Sequence, residues 1–120
     1  MFAACLRSAV EPGEALRIDV PETGGVPIAV FRTEDGEFYA IDDTCTHQDA
    51  SLADGWLEDC AVECPLHASR FDLRTGAVDA PPAKRGVRTH RVTLDDDTVF
   101  VTMSDEQPNL PPGVSQGGAG

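Results

Sequence analysis

The chain has 120 residues and a mass of 12.8 kDa, enough for one small domain of the usual roughly 100 to 150 residues and too little for a second core. A hydrophobic share of 41% with 25% charged residues is that of an ordinary globular protein, and excludes wholesale disorder, a coiled coil and a collagen-like chain. Nine basic against 21 acidic residues leave a formal net charge of -12, which repels a nucleic-acid backbone and favours partners with basic surfaces.

The opening MFAACLRSAVEP lacks a basic leader followed by a long apolar stretch, and no apolar run approaches the roughly 18 to 20 residues that span a bilayer, so a cytoplasmic location is expected. Glu14 to Val20 alternates Leu16, Ile18 and Val20, and Val26 to Thr33 alternates Val26, Ile28 and Val30, as half-buried strands do. Glu34-Asp35-Gly36 then turns the chain into Glu37 to Asp42, which predicts a hairpin with an acidic tip. Trp56 to Glu58, Ala61 to Cys64 and Phe71 to Leu73 are short strand candidates, and Arg74-Thr75-Gly76 is a turn into Ala77-Val78. Val87 to Leu94 alternates, Asp95-Asp96-Asp97 reverses it, and the β-branched TVFVTM of residues 98–103 completes a second hairpin. No segment sustains an apolar period of 3.6, so the class is all-β. Residues 104–120, rich in Gly and Pro and poor in apolar side chains, are expected to form a disordered tail, which leaves residues 1–103 as the folded domain.

Charge is unevenly placed along this frame. Residues 34–63 hold ten acids and no Lys or Arg, whereas residues 64–94 hold six bases against Asp72 and Asp79.

Two motifs carry chemistry: Cys45-Thr46-His47 and Cys64-Pro65-Leu66-His67, with sixteen residues between them. Both fall between expected strands. In an extended Cys-x-His the two side chains share a face, and Cys-x-x-His turns so that both point inward, so two such loops can clasp one centre. Thiolate and neutral imidazole suit zinc or an iron-sulfur cluster, and the residue types alone leave both open. Zinc sites of this composition usually pair two cysteines in one knuckle and two histidines on a helix, whereas each loop here mixes one of each.

The mixed pattern resembles the Rieske iron-sulfur family, and the resemblance extends through CTHQDASL, DGWLED and CPLHASRFDLRTG to Pro81-Pro82, where the family has a loop shielding its cluster. It covers roughly residues 2–103. It implies an antiparallel β-sandwich with two cluster loops at one tip and a single 2Fe-2S cluster. Cys45 and Cys64 would bind one iron, and His47 and His67 the other, nearer solvent. Members of respiratory and photosynthetic complexes carry a further cysteine in each loop, joined as a disulfide. Here Asp49 and Ala50 follow Gln48, and Leu66 stands between Pro65 and His67, so that bridge is absent. This looks like the ferredoxins that pass single electrons from a flavin-dependent reductase to a non-heme iron aromatic-ring oxygenase. The resemblance thus implies a carrier, not a catalyst. The alternatives are a small subunit of nitrite reductase and a structural zinc-binding module.

Rieske centres span about -150 to +300 mV, and donors aimed at the sulfurs raise the potential. High-potential relatives have a Ser two residues past the last His and a Tyr four past it. Ser69 keeps the first and Phe71 replaces the second, so a potential near the low end is expected.

In a reducing compartment Cys5 and Cys60 are expected to be free thiols, at least partly buried. His90 is expected on the surface, Trp56 in the core, and Arg70 and Arg74 in ion pairs with nearby carboxylates.

Overall fold

A computed structural model describes residues 1–46, 50–65, 69–79 and 85–111. Among these the regular structure is nine strands and three single 3-10 turns, at Arg7–Ala9, Pro21–Thr23 and Leu52–Asp54. The strands are β1 Phe2–Leu6, β2 Glu14–Ile18, β3 Ile28–Arg32, β4 Phe38–Asp42, β5 Trp56–Glu58, β6 Ala61–Glu63, β7 Arg70–Asp72, β8 Thr89–Asp95 and β9 Thr98–Thr102. They build one six-stranded sheet in the order β1-β9-β8-β4-β3-β2 and one three-stranded sheet in the order β5-β6-β7, antiparallel throughout. The all-β expectation holds. No helix among the described residues is long and apolar enough to cross a membrane.

Period-2 alternation explains why the central strands are apolar on both faces. Ala29 and Phe31 of β3 and Ile41 of β4 turn toward a core shared with Leu57 and Val62 of the small sheet and Phe71 of β7. Ile28, Val30, Phe38 and Ala40 turn the other way, onto a second core with Val10, Ile18, Val99 and Val101. The large sheet therefore curls around its own second core while its other face receives the small sheet. Burying one Phe or Ile side chain is worth about 1.5–3 kcal/mol, so these two rows dominate the apolar contribution.

Both hairpins form as expected. β3 pairs with β4 from Arg32↔Phe38, closed by Gly36 N–H to Thr33 O at 2.9 Å and by Thr33 N–H to Glu37 O at 2.9 Å. β8 and β9 join through a turn between Asp95 and Thr98 in which Asp96 takes φ 58°. The left-handed geometry matches strand twist, and Asp tolerates it better than most residues.

Three differences have physical causes. β1 escapes a periodicity search because its register slips by a bulge between Ala3 and Cys5, which breaks the alternation. β2 stops at Ile18, and β3 begins only at Ile28, since Pro21 opens a turn and Pro27 has no N–H to give the ladder. The expected tail also differs over residues 104–111, which lie hydrogen-bonded on the body. Arg88 Nη1 donates to Glu106 O at 2.9 Å, Asn109 Nδ2 to Gly86 O at 3.0 Å, and Arg85 Nη2 to Leu110 O at 3.4 Å. Pro111 is buried, and residues 112–120 lie outside the described residues.

Gly76 ends the turn after β7 at φ 77°, and a Cβ there would collide with the carbonyl oxygen of Val87. Gly76→Ala combines a left-handed backbone with that clash, and is expected to destabilise the fold by about 2 kcal/mol or more, read as a lower urea midpoint with an unchanged m value.

Candidate metal centre

The two motif loops are closed by the same device. In the first, which leaves β4, Cys45 N–H donates to Ala50 O at 3.0 Å; in the second, between β6 and β7, Cys64 N–H donates to Ser69 O at 2.8 Å. Each bond runs from the cysteine to the residue five positions on, so the base of each loop is closed by the cysteine's own backbone. A bridge between Thr44 and Ser51 extends the first closure.

The first loop is further held by Asp43, which is buried. Its Oδ1 accepts from Ser51 Oγ at 2.8 Å and from Ala53 N–H at 2.9 Å, and its Oδ2 accepts from Arg17 Nε at 3.1 Å. Burial raises the Asp43 carboxyl above the usual range, with these three donors pulling against it. From the opposite side, Thr46 Oγ1 donates to Arg85 O at 2.6 Å.

Cys45 and Cys64 come from different loops but enter the same apolar core, beside Leu52, Val62, Phe71 and Leu73. They are 0% and 1% exposed, and neither is in a disulfide. Two buried thiols on a shared apolar wall suit a soft metal centre that needs thiolates and exclusion of water. The expected ligands His47 and His67 lie outside the described residues, as does the expected shielding loop at Pro81-Pro82. Among the described residues no three His, Cys, Asp or Glu side chains converge as a metal site, so the cysteines are the described half of the expected set.

Ser69 is fully buried behind the second loop, and Phe71 points into the core with its ring 0% exposed. The position that could bring a phenol toward the centre thus carries a hydrocarbon edge.

His90 corrects the expectation of a surface side chain. Its side chain is 0% exposed, and Nε2 donates to Asp42 Oδ1 at 2.8 Å. Ser104 N–H donates to Nδ1 at 2.9 Å; a backbone N–H can only donate, so Nδ1 is the acceptor and Nε2 carries the proton. Arg88 grips the same carboxylate with two bonds, Nε to Oδ2 at 2.9 Å and Nη2 to Oδ1 at 3.1 Å. This network fixes the end of β4, three residues before Cys45. Sequence reasoning missed it although Arg88 and His90 share a strand face; the signal was a carboxylate, Asp42, closing an otherwise apolar strand.

Trp56 is the second correction: it is 62% exposed. Alternation along β5 sends Leu57 to the core and Trp56 to the opposite face of the small sheet. The arginines pair as expected, Arg74 with Asp72 at 3.2 Å and Arg70 with Glu58 at 3.4 Å and Asp79 at 3.3 Å. Cys5 and Cys60 are half-buried free thiols. Burial pushes the Cys5 thiol up, and a hydrogen bond with Cys60 followed by desolvation holds the Tyr39 phenol above its ordinary value.

Comparison with known proteins gives this arrangement its relatives. Residues 1–91 match the Rieske [2Fe-2S] domain. The chain is 42% identical over 106 residues to the 3-phenylpropionate/cinnamic acid dioxygenase ferredoxin subunit of Escherichia coli (strain K12), covering 88% of this chain and 95% of that protein. Its fold is similar to that of the Sphingomonas yanoikuyae B1 ferredoxin, with TM-score 0.79 and 32% identity over 86% of this chain and 98% of that one. It is also similar to a chain in the complex of reduced oxygenase and oxidized ferredoxin of carbazole 1,9a-dioxygenase, with TM-score 0.76 and 35% identity over 84% of this chain and 100% of that one. Two loops that carry Cys45 and Cys64 into one apolar core, on an all-β frame matched along most of its length, place the chain in the Rieske 2Fe-2S domain family.

Proposed function

We propose that the chain is the ferredoxin component of an aromatic-ring dioxygenase system. It accepts single electrons from a flavin-dependent reductase and delivers them to a Rieske non-heme iron oxygenase in the cytoplasm. Cys45, His47, Cys64 and His67 would hold its 2Fe-2S cluster, the cysteines on one iron and the histidines on the other. When bound, the cluster supplies a one-electron couple. The protein's own residues hold and tune it. Cys45 and Cys64 offer thiolates from a water-excluded wall, the backbone closures at Ala50 and Ser69 fix where those sulfurs sit, and Thr46 and Asp43 tie the first loop to the body. Phe71 offers no hydroxyl, which supports a potential near the low end of the family range.

The observation that carries this reading is 42% identity to a dioxygenase ferredoxin subunit over 95% of that subunit's length. It favours a dioxygenase carrier over a nitrite reductase subunit, and family membership removes the zinc module. The test is reconstitution with NADH and the reductase and oxygenase components of the E. coli 3-phenylpropionate/cinnamic acid dioxygenase. Adding the purified protein is expected to raise product formation by about tenfold or more over its omission. No product with both components active would contradict the proposal.

A further inference from the structure

We propose that the outer face of the three-stranded sheet, centred on Trp56, is the surface on which the terminal oxygenase docks, through a basic patch whose arginine packs against the indole. This rests on the carrier reading above.

Trp56 is the only tryptophan of the chain, and it is 62% exposed. The other large apolar side chains exposed among the described residues are Met1, ahead of β1, Leu6 in β1, Val20 after β2 and Leu94 in β8, none of them in the small sheet. The fold leaves most of the indole exposed. Its position in the sheet is specific. Trp56 pairs with Glu63, and Glu63 with Arg70, so these three form the row that feeds directly into the second motif loop at residues 64–69. The alternate row, Leu57, Val62 and Phe71, is anchored in the core, which leaves the Trp56 row facing outward on a rigid base.

Charge selects the partner. Glu58, exposed, and Glu63, half-exposed, line the cleft beside the indole, and the exposed Asp54 and Asp59 flank β5 in the sequence. The one base of the face, Arg70, is already engaged by Glu58 and Asp79. A cleft of about 350 Å³ bounded by Trp56, Leu57, Glu58, Ala61, Glu63 and Arg70 opens beside the ring. A guanidinium entering it would stack on the indole and meet the Glu58 and Glu63 carboxylates at once, an arrangement that neither an acidic nor a purely apolar partner reproduces. Trp and Arg are also among the residue types enriched in interface hot spots. Docking here would bring the partner against the loop that carries Cys64.

The test is steady-state oxygenation in the reconstituted system with the ferredoxin varied, for the unaltered protein, Trp56→Ala, Trp56→Phe and Glu58→Gln. Trp56→Ala is expected to raise the KM for ferredoxin at the oxygenase by about tenfold or more with kcat within about twofold, and Trp56→Phe to recover part of the loss. Glu58→Gln is expected to weaken the rise of KM with salt. Rates of reduction by the reductase and the visible spectrum are expected to stay unchanged in all three. An unchanged KM in Trp56→Ala, or a loss confined to reduction by the reductase, overturns the assignment while leaving the carrier reading intact. Should Trp56→Ala lose its spectrum, Trp56→Phe and Glu58→Gln decide by the same criteria. If the unaltered protein delivers no electrons to the oxygenase, the carrier reading and this surface fall together.

Discussion

Cys64→Ser and Cys45→Ser are each expected to purify with less than about one tenth of the iron and visible absorbance of the unaltered protein. Serine is nearly the same size, so packing is conserved and the chemistry changes. Its hydroxyl does not ionise in the way a thiol does, and it is a hard donor where a soft one is required. Both sites are at most 1% exposed in a wall of Leu52, Val62, Phe71 and Leu73, where a hydroxyl without a partner costs about 1–3 kcal/mol. The informative contrast is with the half-buried thiols. Cys5→Ser and Cys60→Ser are expected to keep full iron content, because neither residue lies in a motif loop. Iron per chain across the four variants is the measurement, and equal loss in all four would mean that the assay reports folding and not ligation.

Asp42→Ala is expected to destabilise the protein by about 3–5 kcal/mol, the usual cost of removing one partner from a buried ion pair. The carboxylate is 3% exposed and accepts two bonds from Arg88 and one from His90, whose side chains are 8% and 0% exposed. Truncation would leave a guanidinium charge and an imidazole N–H without that acceptor in a water-poor site. Arg88 also donates to Glu106 O, and His90 accepts from Ser104 N–H, so segment 104–111 is expected to loosen in the same variant and become the first site of limited proteolysis. Chemical denaturation gives the energy. In Asp42→Ala/Arg88→Met, which removes the stranded charge, part of the loss is expected to return; a double variant as weak as the sum of the singles would show that the two residues act independently.

Much of this was legible in the sequence, and the parts that were not share a cause. The hairpins at residues 28–42 and 89–102 and the strands at 56–58, 61–63 and 70–72 are local, since alternation and turn residues state them outright. The Cys45 and Cys64 motifs were equally plain because metal ligation restricts both residue type and spacing. What a local pattern cannot state is which surface meets which. β1 pairs with β9 across nearly the whole chain, and its bulge erased the alternation that would have marked it. His90 reads as a polar residue between two arginines until Asp42, 48 positions away, is brought against it. Trp56 reads as core by composition, but the small sheet packs on the core through its Leu57, Val62 and Phe71 row, which leaves Trp56 on the other face. Residues 104–111 look too polar to pack, yet hydrogen bonds to Arg85, Arg88 and His90 hold them, with Pro111 buried at the end of the segment.

Ligation of a 2Fe-2S cluster by two cysteines and two histidines is tested most directly by a pulsed EPR measurement of nitrogen couplings on the dithionite-reduced protein, with iron quantified on the same sample. Two irons per chain and two strongly coupled imidazole nitrogens are expected, one of which disappears in His47→Ala or His67→Ala if any cluster survives the substitution. A reduced cluster without strong nitrogen coupling, or a colourless protein holding zinc, would contradict that ligation.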